Sequence, residues 1–159
     1  MSQKEIQKFM SRAIELSRQN LKLMHGGPFG AVVVKDGKIV GQGRNQVILT
    51  NDPTAHAEIT AIRDACKNLG TYSLEGCDIY SSCEPCPMCL GAVYWSRPAR
   101  LFFACTRDDA ELIGFDDKFF YREMEKPEPE RSIPAVRLMR DKALAVFQEW
   151  DKITRKPVY

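Results

Sequence analysis

Apolar side chains recur at helical spacing near the start of the chain. From Gln3 to Leu23, the residues Ile6, Phe9, Met10, Ala13 and Ile14 fall on one face, which predicts an amphipathic helix. Gly26-Gly27 interrupts that pattern ahead of Pro28. The period then changes. Ala31-Val32-Val33-Val34 and Lys38-Ile39-Val40 flank Lys35-Asp36-Gly37, and Asp-Gly between β-branched runs predicts a hairpin. After a polar loop through Asn51-Asp52-Pro53, Thr54 is the expected cap of a second helix. That helix turns Ile59, Ile62, Cys66 and Leu69 inward and stops at Gly70. Asp78-Ile79-Tyr80-Ser81 predicts a third strand, broken by Glu84-Pro85, and Pro87 suits the first turn of a helix running toward Trp95. Arg100 to Cys105 is expected as another buried strand, Ala135 to Met139 as a fifth, and Leu144 to Trp150 as a closing helix. Strands alternating with helices in the middle of the chain imply parallel pairing through right-handed crossovers. The expected fold class is α/β: a three-layer α/β/α sandwich with a mixed central sheet of about five strands, the first two antiparallel.

Length narrows this to a single domain, since 159 residues bury an adequate core without staples. Apolar and charged fractions of 44% and 28% are ordinary for a soluble globular protein, and no stretch predicts a membrane span or a secretory signal. The net charge of +2 comes from scattered Lys and Arg, a poor footprint for nucleic acid. Six cysteines without a secretory signal point to a reducing cytoplasm, where thiols stay free or bind metal.

Chemistry concentrates in two stretches. Thr54-Ala55-His56-Ala57-Glu58 is followed by Ser82-Cys83-Glu84-Pro85-Cys86-Pro87-Met88-Cys89. His56, Cys86 and Cys89 offer one imidazole and two thiolates, three ligands of a tetrahedral zinc whose fourth place is left for water. A water so bound, with its pKa brought toward ~7, attacks an electrophilic carbon at neutral pH. Cys86 and Cys89 sit at a predicted helix start, where unpaired N–H groups lower thiol pKa values. Glu58, two residues from the first ligand, is placed to move the water's proton. Its alternative is an exposed first-turn acid stabilised by the helix dipole. Cys83 leaves a second alternative open: were it a fourth ligand, the zinc would be closed and structural. Against that, Pro85 disfavours helical geometry at Glu84, so Cys83 lies along an extended backbone away from Cys86. Cys66, Cys77 and Cys105 read as small core residues.

His-x-Glu followed by Pro-Cys-x-x-Cys matches the known signature of zinc-dependent base deaminases, and the chain resembles the cytidine-deaminase-like superfamily. Gly27-Pro28-Phe29-Gly30-Ala31, Asn45 and Asn51-Asp52-Pro53-Thr54-Ala55-His56-Ala57-Glu58-Ile59 look like its purine-acting branch. Gly114-Phe115-Asp116-Asp117-Lys118-Phe119-Phe120-Tyr121 and the ending Pro157-Val158-Tyr159 are similar to the short bacterial guanine deaminases. That resemblance implies one zinc per subunit, a free purine base as substrate, and xanthine and ammonia as products. It implies that Asn45 hydrogen-bonds the purine, Phe29 stacks on it, the Ala57 N–H touches it and Trp95 walls the pocket, although Trp95 reads equally as plain core. It implies a second proton carrier at Asp117, which by itself reads as a solvated loop acid. It also implies a homodimer in which residues from about 140 to 159 cross to the partner and Tyr159 completes the partner's pocket.

Alternatives stay open at this point. A deaminase of guanosine, cytosine, an aminotriazine or transfer-RNA adenosine shares the zinc motif. A non-catalytic module with a structural zinc predicts Cys83 ligation and indifference to Glu58.

Overall fold

The computed structural model describes residues 2–157. Helix α1 (Gln3–Leu23) opens with a capping box between Ser2 and Glu5 and closes on a left-handed Met24. Strands β1 (Gly30–Lys35) and β2 (Lys38–Arg44) pair antiparallel around Asp36-Gly37. Both turn residues have positive φ, the conformation a two-residue hairpin of this hand requires. A short helix α2 (Val47–Thr50) lies where the sequence predicts only loop. Helix α3 (Ala57–Leu69) ends at a left-handed Gly70, as expected. Its N-cap is His56, not Thr54; Thr54 instead donates through both its N–H and its hydroxyl to Asp52 Oδ1. Strand β3 (Asp78–Cys83), helix α4 (Pro87–Ser96), strand β4 (Arg100–Cys105) and helix α5 (Arg107–Leu112) follow.

The sheet order is β2-β1-β3-β4, antiparallel except for the parallel β3/β4 pair. It is mixed, as expected, with four strands rather than about five. Residues 135–139 form no ladder; β propensity is a weak preference and does not by itself make a strand. Alternation along the strands divides the core into two layers. Val32, Val34 and Tyr80 meet Phe9, Ala13 and Leu16 of α1. On the other face, Ala31, Val33 and Ile79 meet Ala57, Ala61 and Ala65 of α3, with Val93 of α4. The three-layer arrangement therefore stands. Ile14 falls outside the buried stripe of α1, which runs Phe9, Ala13, Leu16 and Asn20. β4 is a largely exposed edge rather than a buried strand, and Cys105 on it is exposed. Cys66 is half-buried, so among the three presumed core cysteines only Cys77 is fully inside.

The sequence reading stops β2 at Val40, yet the strand continues through Gly41 and Gly43. A Cβ at Gly41 would lie 2.5 Å from the Ala61 carbonyl, and one at Gly43 2.4 Å from the Ala57 carbonyl. The glycines interrupt the β-branched pattern because the α3 backbone rests directly on them.

Contacts divide the chain into residues 1–121 and 122–159. Helix α6 (Asp117–Glu125) crosses that boundary. In the second unit, Glu123 accepts from Lys126 and from the Ser132 N–H and hydroxyl. Helix α7 (Arg140–Asp151) follows, somewhat longer than the predicted closing helix. Val136, Leu138, Phe147 and Trp150 are exposed on this unit. Among the described residues no helix is long and apolar enough to cross a membrane.

Candidate active site

Two helix starts face each other across the open end of the sheet. His56 is the N-cap of α3 and Cys86 the N-cap of α4; Pro87 fixes the first turn of α4, which carries Cys89. His56 Nδ1 lies 3.5 Å from both Cys86 Sγ and Cys89 Sγ. The three ligand atoms lie within 4.8 Å of one another. One imidazole nitrogen with two sulfurs is a zinc donor set. The electrostatics fit a cation as well. Hydrogen bonding from Cys89, and then from His56, holds the Cys86 thiol down at about 4. The same hydrogen bond, with burial, pushes the Cys89 thiol far up. Two sulfurs this close cannot both ionise on their own, and a divalent cation between them removes that conflict.

Cys83 is not part of this trio. Its Sγ lies 3.4 Å from the Thr106 carbonyl, as donor, and burial pushes its thiol up to about 12. The extended backbone before Pro85 separates it from Cys86, as the sequence predicts.

Glu58 projects from the first turn of α3 and is only 5% exposed. Its Oε1 accepts from Ser81 Oγ at 2.7 Å. Burial pushes its carboxyl above the ordinary carboxylate range, and the Ser81 hydrogen bond opposes that rise. Alternation on β3 turns Ile79, Ser81 and Cys83 to the α3 face, which brings the Ser81 hydroxyl to the acid. Asp117, at the start of α6, is pushed up to about 6 by burial and then by the Cys86 thiolate, against the pull of His56.

His56, Glu58, Cys86 and Asp117 line one cavity of about 490 Å³ together with Phe29 and Asn45. Asn45 is buried, and its Oδ1 accepts from the Val47 N–H at 3.1 Å. Its Nδ2 has no partner among the described residues. Ala57, fully buried, is the first residue of α3, where backbone N–H groups lack helical partners. Trp95 is placed elsewhere: it is 68% exposed, neither core nor part of this cavity's lining. Tyr159 lies outside the described residues.

Other parts of the site escape a sequence reading. Phe115 lines the cavity and meets Phe29 edge-on, with ring centroids 4.8 Å apart. Gly26-Gly27 reads as a mere helix interruption, yet a Cβ at Gly26 would sit 2.0 Å from Asn45 Oδ1. One at Gly27 would lie 2.7 Å from the Phe29 and Phe115 rings. Glu84 accepts from the Arg107 N–H and pairs with its guanidinium, which stacks over Tyr121. The Tyr121 hydroxyl donates to the Pro85 carbonyl at 3.0 Å, so α5 and the start of α6 brace the loop before Cys86. The signal in the chain is the resemblance itself: Gly27 lies in the Gly27-to-Ala31 stretch, and Phe115 and Tyr121 in the Gly114-to-Tyr121 stretch.

Residues 3–105 match the family model described as cytidine and deoxycytidylate deaminase zinc-binding region. The guanine deaminase of Bacillus subtilis is 52% identical over 151 residues, 95% of this chain and 97% of that protein. The crystal structure of guanine deaminase from Bacillus subtilis superposes with a TM-score of 0.94 at 50% identity, covering 100% of this chain and 99% of that one. A tRNA-specific adenosine deaminase from Haemophilus influenzae is 41% identical over 115 residues, 72% of this chain and 66% of that protein.

Proposed function

This chain belongs to the cytidine and deoxycytidylate deaminase zinc-binding family, and from that premise we propose that it hydrolyses guanine to xanthine and ammonia. The observation that carries the reading is one cavity holding a zinc donor set, a buried carboxyl and an amide with free donors. Near-complete coverage of a guanine deaminase supports guanine over transfer-RNA adenosine, as does the weak, scattered charge.

His56, Cys86 and Cys89 would hold one zinc ion per subunit. When bound, zinc supplies the Lewis acidity that makes water nucleophilic near neutral pH. Glu58 accepts the proton of the attacking water as oxygen adds to C2 of the purine, and returns it to the ring nitrogen. Ser81 holds one carboxyl oxygen in place during that transfer. Burial suits Glu58 to this work, since raising a carboxyl above its ordinary range makes it a stronger acceptor of the water's proton. Asp117 passes a proton to the amine; as the C2–N bond breaks and ammonia leaves, the added hydroxyl becomes the C2 carbonyl and its proton returns to Asp117, so water supplies the oxygen of xanthine and no net proton is consumed. Asn45 donates from Nδ2 to an acceptor on the purine edge, Phe29 stacks on the ring against Phe115, and the Ala57 N–H adds a backbone contact.

The catalytic domain spans residues 1–159 and works as a homodimer, with the segment from about 140 to 159 exchanged between subunits. The exposed apolar side chains of residues 136–150 support that exchange. Tyr159 completes the partner's pocket, and Trp95 serves as a wall only within such a dimer. A cytoplasmic location accords with six free cysteines.

The deciding assay incubates zinc-loaded protein with guanine, guanosine, adenine and cytosine and measures ammonia. Release from guanine, with xanthine formed in equal amount, is expected. Release only from another substrate overturns the substrate assignment. Deleting residues 157–159 tests the tail: unchanged guanine turnover removes its role.

A further inference from the structure

The buried stripe of α1 runs Phe9, Ala13, Leu16 and then Asn20, where the helical period calls for a fourth apolar side chain. Asn20 is 1% exposed. Its Nδ2 donates to the Asn45 carbonyl at 2.7 Å and to the Gly27 carbonyl at 2.8 Å. Its Oδ1 is buried, with no partner among the described residues. The orientation of the amide is not arbitrary, since flipping it would set an oxygen against two carbonyl oxygens. Burying a carboxamide where the stripe calls for an apolar side chain costs desolvation of its polar atoms, so packing α1 onto the sheet does not account for it here.

Both carbonyls belong to segments that build the pocket. Asn45 is held at its N–H by the Phe29 carbonyl, at its carbonyl by Asn20 and at Oδ1 by the Val47 N–H. Only its Nδ2 is left to face a ligand. Gly27 precedes Phe29 by two residues and takes the N–H of Phe29 on the same carbonyl that Asn20 grips. Clearances are small throughout: a single Cβ at Gly26 or Gly27 would collide with Asn45 or Phe29.

We infer that Asn20 is a specificity-determining positioning residue, which ties the Asn45 and Gly27 peptides together and so aims the Asn45 amide and the Phe29 ring at the base. It touches no substrate. The inference rests on the proposal that guanine is the substrate and Asn45 reads it.

Asn20→Leu removes both donors and completes the apolar stripe; Asn20→Ala serves if leucine overpacks the site. With zinc-loaded protein, the KM for guanine is expected to rise about tenfold, the usual weight of a lost hydrogen bond or two. The kcat should stay within about threefold, because Glu58 and the metal ligands are untouched. In an Asn45→Ala background the same substitution should add a clearly smaller KM effect, only the part carried through Gly27 and Phe29. A merely structural Asn20 predicts lower thermal stability, an unchanged KM and additive behaviour in the double variant, and any of the last two overturns the inference. A second readout does not depend on turnover: the Asn45 side-chain amide signal in a 15N NMR spectrum should move on Asn20→Leu. An unmoved signal overturns the inference. A moved signal in a protein inactive on guanine upholds the positioning role and overturns the substrate reading alone.

Discussion

Glu58 and Asp117 are both carboxyls raised by burial, but they answer different experiments. Glu58→Gln keeps the size of the side chain and leaves His56, Cys86 and Cys89 intact. Zinc content should therefore stay at one per subunit while ammonia release falls by at least ~10²–10⁴-fold. Cys83→Ala should lose neither zinc nor most activity, because its sulfur bonds Thr106 and lies outside the trio; loss of zinc there would revive the structural-metal reading. For Asp117 the folded pKa of about 6 stands above the ordinary 3.8. Its ionised form is thus disfavoured by the fold, and stability present below pH 3.8 is lost as pH rises through about 6. In metal-stripped protein, Asp117→Asn should melt higher than wild type above pH 6 and equal to it below about pH 4. Thermal melts across that window check the sign. Zinc draws the group back toward its ordinary range, so the difference should shrink on reloading.

At the scale of elements, the seat of α3 on β2 decides where His56 and Glu58 stand. Gly43 lies under the first turns of α3 and Gly41 one turn further along. Alanine at either forces backbone apart and should cost about 1–3 kcal/mol or more. The two should differ in activity. Gly43→Ala pushes on the Ala57 carbonyl, beside Glu58, and should lower kcat of the folded protein about tenfold or more; a 1 Å displacement of a catalytic group has that scale of effect. Gly41→Ala should lose stability with kcat nearly unchanged. Equal kcat losses would mean that α3 shifts as a rigid body. These elements also separate what pattern can read from what it cannot. The α1 helix and the Asp36-Gly37 hairpin are local, and their periods and turn residues are visible in the chain. β2 beyond Val40 is not, since Gly41 and Gly43 suit a strand only because α3 lies on them. The expected strand at residues 135–139 has β propensity yet joins no ladder, and β4 has a strand's composition while standing at a sheet margin.

For the whole molecule, the two-layer core around β1 is apolar and continuous without any metal. Chelation should abolish ammonia release yet leave the circular dichroism spectrum largely intact. Melting temperature should fall by several degrees and recover with added zinc, as for any ligand bound to the native state alone. Unfolding on chelation would instead mark a structural metal. Sedimentation should give a dimer, as the exposed Val136, Leu138, Phe147 and Trp150 imply.

The zinc donor set and the acid beside it were legible in the chain because they lie within two short motifs, with helix starts and a proline to aim them, whereas Phe29 and Asn45, which line the same cavity, were reached only through resemblance to a family. Local spacing determines local geometry, and two N-capped helices need only meet. Where Ser81, Phe115 and Asn20 act was decided by tertiary structure alone. Ser81 reaches Glu58 across 23 positions and Asn20 reaches Asn45 across 25. No period or motif pairs Ser81 with Glu58 or Asn20 with Asn45; only the packing of α1 and α3 on opposite faces of one sheet brings them together.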